Sequence, residues 1–169
     1  MDRRYPIGSF QMPKEKSNEQ FQSFIMDIKE LPEKLREAVQ GLTEEQIDSP
    51  YRDGGWTIRQ VVHHLADAHM NAFIRTKLAL TEDTPTINPF EENDWAVTEE
   101  AKEAPVEWSL SLLDGLQKRW AFLLERLEWQ DVNKTVYHPG LEKELDVYTL
   151  TALYAWHGKH HTAHIVNAE

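Results

Sequence analysis

The sequence predicts an all-α fold, a four-helix bundle with a small β-hairpin ahead of its last helix. Three observations predict it. Apolar residues recur at three- and four-residue intervals in four separate stretches, the period of a helix with one buried face. Residues that cap helices stand at the starts of several stretches. A chain of 169 residues, 40% of them hydrophobic, suits one domain around one core.

Residues 1–17 carry Pro6 and Pro13 and no apolar run, and read as an extended arm ahead of a single domain over 18–169. The arm has no signal-peptide pattern. The first helix is predicted from Ser17–Asn18 to about Gly41, on Phe21, Phe24, Ile25, Ile28, Leu31, Leu35 and Val39. Pro32 lacks an amide hydrogen and is expected to bend or split it. Thr43 and Gln46 have capping-box spacing for a short helical turn that Ser49-Pro50 ends. After a turn at Tyr51–Trp56, Thr57 and Gln60 repeat that spacing and open the second long helix, which runs to about Leu80.

Thr81 to about Pro105 reads as a loop of roughly 25 residues, either a lid or binding segment or flexible surface, with Pro89, Phe90 and Trp95 packing part of it down. The third helix is predicted from Val106 to Leu127, with Leu110, Leu113, Leu116, Trp120, Leu123, Leu124 and Leu127 inward. Thr135–His138 and Lys143–Asp146 flank Pro139-Gly140 and predict the hairpin. Asp146 then caps the last helix, which continues through His164.

The net charge of −11 repels phosphate backbones, and no basic stripe offsets it, so nucleic acid is excluded as a partner. No apolar run is long enough to cross a bilayer. Cysteine is absent, which removes disulfides and thiolate metal sites and fits a reducing compartment. The expected location is cytoplasmic.

Seven of the eight histidines fall in two helical clusters. On the last helix, at about 100° per residue, His157 shares its face with Leu150, Leu153 and Tyr154. His161 follows at about 40°, His164 at about −20°, and His160 at about −60°, towards the edge. His157 and His161 therefore straddle the apolar face, and imidazoles at i and i+4 present two nitrogens to one ion. Inward imidazoles without partners carry a desolvation penalty, which favours a ligand role over core filling. On the second helix His64 sits at the margin of the apolar face, in a stripe of Gln60, His64, Asp67, Asn71 and Arg75. Asp67 is placed to orient a ligand or act as a base. His63 points away and is expected at the surface or an interface; His69 falls in the apolar arc as a buried hydrogen-bonding residue. His138 stands beside a turn, within reach of a pocket mouth. The His-Glu-x-x-His pattern of zinc proteases is absent.

Tyr51-Arg-Asp-Gly-Gly-Trp-Thr-Ile-Arg-Gln-Val-Val-His-His-Leu-Ala-Asp67, followed by Tyr154-Ala-Trp-His-Gly-Lys-His-His161, resembles the YfiT branch of the DinB-like superfamily, whose members are regarded as metal-dependent hydrolases. Tyr5-Pro-Ile-Gly8 and Tyr137-His-Pro139 extend the likeness over nearly the whole chain. The resemblance implies a four-helix bundle, a homodimer and one nickel- or zinc-type ion. In the family pattern the second-helix ligand directly precedes a leucine, here His64, and the others match His157 and His161. Three neutral imidazoles leave a fourth position open for water or a small-molecule substrate. Hydrolysis is the first expectation. Some relatives are regarded as bacillithiol or mycothiol S-transferases, which makes transfer of a low-molecular-weight thiol the second. A non-enzymatic, stress-associated metal-binding bundle is the third.

Overall fold

The computed structural model describes residues 2–168. Positions 1 and 169, the outer limits of the expected arm and domain, lie outside them. Four long helices carry the fold: α1 (Asn18–Val39), α3 (Ile58–Thr81), α6 (Val106–Leu124) and α7 (Val147–Val166). Short helices α2 (Glu44–Ile47), α4 (Glu92–Ala96) and α5 (Glu99–Glu103) lie in the connections. Strands β1 (Thr135–His138) and β2 (Lys143–Asp146) precede α7. α1 packs on α6 and α7, and α3 packs on the same two helices, so the bundle closes around a core that includes Trp120, Tyr148, Leu35, Leu65 and Leu113. Among the described residues no helix is long and apolar enough to cross a membrane.

The capping signals act as expected. Ser17, Thr43 and Thr57 each accept from the amide three residues on, and Gln46 and Gln60 bond back to complete the two capping boxes. Gly41 follows α1 with φ at 79°, a left-handed turn that glycine adopts without strain.

Pro32 does not split α1. Its missing amide leaves the carbonyl of Ile28, four residues back, without an intrahelical donor. Gln117 of α6, fully buried, donates its Nε2 to that oxygen at 2.9 Å. A side chain on a neighbouring helix therefore fills the gap, and the helix continues to Val39.

The connection after α3 is also more ordered than a loop. Ile87 donates to the Tyr137 carbonyl at 3.0 Å and Tyr137 to the Pro85 carbonyl at 2.9 Å, which ties residues 85–87 to β1. Helices α4 and α5 follow. Gln60 Nε2 holds the Ala96 carbonyl at 2.6 Å, and Arg59 holds the Ala104 carbonyl at 3.0 Å. Phe90 and Trp95 pack ring to ring, centroids 4.8 Å apart. α6 stops at Leu124, short of the predicted Leu127, because its last bonds tighten to three-residue spacing. Leu127 still packs on the core from that turn, which is why the apolar period outruns the helix.

The hairpin pairs Thr135 with Asp146 and Val136 with Leu145, the latter two facing the core. Asp146 ends β2 and accepts from the Thr149 amide at 2.7 Å, so the hairpin fixes where α7 begins.

Candidate metal centre

α3 and α7 pack together and bring His64, His157 and His161 to one place. One ligand nitrogen from each lies within 4.8 Å of the others. The Nε2 atoms of His64 and His157 stand 3.1 Å apart. Two nitrogens bound to one ion at about 2.0–2.1 Å are separated by about 2.9–3.4 Å for angles between octahedral and tetrahedral. The pair already has the spacing of two adjacent ligands. Ring centroids are 4.7 Å apart for His64 and His161 and 4.5 Å for His157 and His161. Trp56, from the turn before α3, walls the cluster 4.8 Å from the His64 ring.

The donor set suits a cation. Burial pushes His64 down to about 4, helped by the charges His160 and His164 would carry. Burial likewise holds His161 well below the ordinary histidine value, with His157 and His64 adding to it. The rings stay neutral at pH 7 and offer lone pairs without first releasing protons. His64 and His161 are buried, while His157 keeps partial exposure.

Behind these rings stand two more. His157 Nδ1 lies 3.3 Å from Nε2 of His69, which is completely buried. His161 Nδ1 lies 3.2 Å from His164 Nδ1, and His164 Nε2 lies 3.1 Å from the Arg4 carbonyl. Gln117 stands close enough to His69 to favour its charged form, although His69 Nδ1 and the Gln117 carbonyl oxygen are both buried without a well-formed hydrogen bond. The sequence placed His69 inside; it gave no sign of Gln117 or of a backbone carbonyl from the arm. His160, His161 and His164 form a second group of ligand atoms within 4.8 Å of one another.

Three histidines differ from expectation or stand apart. His63 is not at the surface: it is 1% exposed, with Nδ1 2.6 Å from the Ser109 hydroxyl and Nε2 2.9 Å from the Ala104 carbonyl. The chain between α5 and α6 covers that face of α3, so His63 is a structural clasp. His160 is buried rather than at an edge, because the arm crosses it: Tyr5 lies against its ring, and Trp156 stacks on it at 4.4 Å. His138 caps the hairpin turn through Nδ1, which accepts from the Leu141 amide.

Asp67, one turn beyond His64, is half-buried, and among the described residues its carboxylate has no ion pair. Burial, with Glu100 adding repulsion, raises it to about 6. Farther along the stripe Arg75 is buried, yet its bonds go to the Tyr154 hydroxyl at 3.4 Å and the Asn88 carbonyl at 3.2 Å. No carboxylate within ion-pair distance neutralises it among the described residues.

Comparison with known proteins finds relatives over nearly the whole chain. A protein of Geobacillus thermodenitrificans named "Putative metal-dependent hydrolase" is 56% identical over 164 residues, which cover 97% of this chain and 92% of that one. A Bacillus cereus protein of the same name is 49% identical, covering 98% of this chain and 95% of the other. Among solved structures, YfiT from Bacillus subtilis, described as "a probable metal-dependent hydrolase with an unusual four-helix bundle topology", superposes with a TM-score of 0.95 at 45% identity, covering 98% and 94% of the two chains. The DinB superfamily profile matches residues 27–165, a span that runs from the middle of α1 past the last histidine of α7. The bundle and the sequence likeness thus lead to one conclusion: this chain belongs to the DinB superfamily, among the YfiT-like proteins.

Proposed function

We propose that the chain is a metal-dependent hydrolase whose His64, His157 and His161 hold one divalent transition-metal ion, nickel or zinc, per chain. The observation that carries the reading is the 3.1 Å approach of two Nε2 atoms, with the third ligand nitrogen close by. Two bare lone pairs repel at that distance unless a proton or a cation sits between them. The relatives' names point the same way. An ion held by three neutral imidazoles supplies Lewis-acid polarisation and brings the pKa of water towards about 7.

The chain's own residues do the rest. Trp56 and the buried walls keep bulk water from two of the three imidazoles. The partly exposed side at His157 admits a small-molecule substrate. Asp67, held near 6, is mostly ionised at neutral pH yet accepts a proton readily, which suits the general base that hydrolysis requires.

Arg75 favours a second reading. A buried guanidinium with no carboxylate at ion-pair distance among the described residues suits an anionic group on the molecule that binds, such as an acidic low-molecular-weight thiol; the protein would then be an S-transferase.

Elemental analysis of purified protein, followed by assays with and without chelator, tests these readings. One ion per chain is expected, and His157→Ala should abolish stoichiometric nickel or zinc binding. Chelator-sensitive ester or amide hydrolysis supports the first reading. Thiol consumption with an electrophile, without hydrolysis, replaces it with the second. Stoichiometric metal with neither activity favours a non-enzymatic metal-binding bundle. For the base, Asp67→Asn should lower kcat about 10²–10⁴-fold while leaving metal content unchanged.

A further inference from the structure

We infer that His164 is a positioning residue that fixes the ring of His161 for the ion, and that through it the N-terminal arm is energetically linked to the metal centre. The inference rests on the metal-binding reading of His64, His157 and His161. The Arg4 carbonyl can only accept, so the 3.1 Å contact makes Nε2 the His164 nitrogen that bears hydrogen. In the neutral ring Nδ1 is then a lone pair, and it stands 3.2 Å from His161 Nδ1. His161 Nδ1 therefore donates to it, and Nε2 is left as the only lone pair of the His161 ring. A chain of two hydrogen bonds, from backbone carbonyl to outer histidine to ligand, selects the tautomer that binds a metal through Nε2.

The same design recurs on the other α7 ligand. His157 turns Nε2 towards His64 and Nδ1 towards His69, so each α7 ligand has a second histidine behind its Nδ1. The two backings differ in what lies beyond. His69 is anchored inside the bundle. His164 is anchored to the arm, which is laid down by Tyr5 on His160 and Phe10 on Trp156. His164 itself stacks on Tyr51 with centroids 4.1 Å apart. Because coupling between two binding events is reciprocal, an arm that orders His161 for the ion must itself be held more firmly once the ion is bound.

The competing use of these side chains is a second cation site on His160, His161 and His164. With His161 Nε2 committed to the first ion, it would need Nδ1 of His161, the atom that stands 3.2 Å from His164 Nδ1. It also places a cation beside Arg52, whose Nε donates to the hydroxyl of the Tyr51 that stacks on His164. The relay needs neither.

The experiment is a zinc competition titration against a chromophoric chelator for the wild type, His164→Phe and His164→Gln. Phenylalanine keeps a ring on Tyr51 but removes both polar ends, and zinc affinity should fall about 10–100-fold. Glutamine can donate to the Arg4 carbonyl and accept from His161, and should recover most of the loss. Zinc should slow trypsin cleavage after Arg3 and Arg4 in the wild type and His164→Gln, but not in His164→Phe. In the zinc-loaded wild type, histidine nitrogen NMR should find His164 protonated on Nε2, a measurement that decides the matter even if His164→Phe does not fold. Wild-type zinc affinity in a folded His164→Phe, hydrogen on His164 Nδ1 alone, arm cleavage indifferent to zinc, or two zinc ions per chain each overturn the relay. Wild-type protein that binds no ion removes the metal reading and the relay together. Retained binding with an unaffected His164→Phe removes the relay alone.

Discussion

Single residues here carry opposite electrostatic histories, and Asp67 is the one whose consequence is simplest to measure. Its folded value of about 6 lies above the ordinary 3.8, so between those limits the native chain holds the proton more tightly than the unfolded chain. The stabilisation that protonation brings is complete below the unfolded value and is lost as pH rises through about 6. Asp67→Asn should therefore raise the melting temperature at pH 7 while changing it little at pH 4, and chelator-treated protein followed by circular dichroism at both values checks this. Equal shifts at the two pH values contradict the burial argument. The same residue shows what a sequence can and cannot convey at this scale. Helical spacing put Asp67 one turn from His64 and put His157 and His161 on one face, because angular position follows directly from residue number. It could not place His63 or His160, since what buries them arrives from distant segments, the chain between α5 and α6 and the arm.

At the scale of elements, α7 carries two of the three proposed ligands and depends on a close approach to α1. Gly158, between His157 and His161, faces Leu31: a Cβ added there meets both Leu31 methyl carbons at 3.1 Å. Alanine at 158 gains helix propensity of about 0.8–1.0 kcal/mol against that tight contact, so its net effect should be small. Gly158→Val drives branched carbon into Leu31 and should destabilise the fold by about 1–3 kcal/mol. It should also weaken metal binding, because α7 cannot move off α1 without carrying His157 and His161 away from His64. Denaturant melts and zinc titration of the two variants check this; a valine variant with unchanged zinc affinity means that α7 yields without shifting its ligands. Elements were the most legible level of the sequence. The caps at Ser17, Thr43, Thr57 and Asp146 act within three residues of themselves, and the hairpin turn is equally local. Less legible was the segment after α3, whose order comes from β1 and from Gln60 and Arg59 across the fold.

For the whole molecule, one face of α6 presents apolar side chains that the single chain does not cover. Trp108, Leu112 and Phe122 of α6 are 67%, 43% and 58% exposed. At about 100° per residue they share one face with Gly115 and Arg119. An apolar stripe of this kind marks a contact surface, and the homodimer implied by the resemblance is expected to form there. Sedimentation velocity should find a dimer, and Trp108→Glu with Phe122→Glu should give a folded monomer; a dimer that survives both charges places the interface elsewhere. The fold class was readable because four amphipathic periods need only one kind of partner, another apolar face. The site was readable only as far as its own helices determine it.

The bond from Gln117 to Ile28 has a further consequence. A residue of α6 has become a rung of the α1 backbone ladder, so the middle of α1 cannot breathe independently. Amide exchange of the turns around Pro32 should proceed in step with the centre of α6, as one cooperative opening unit, while the ends of both helices fray separately.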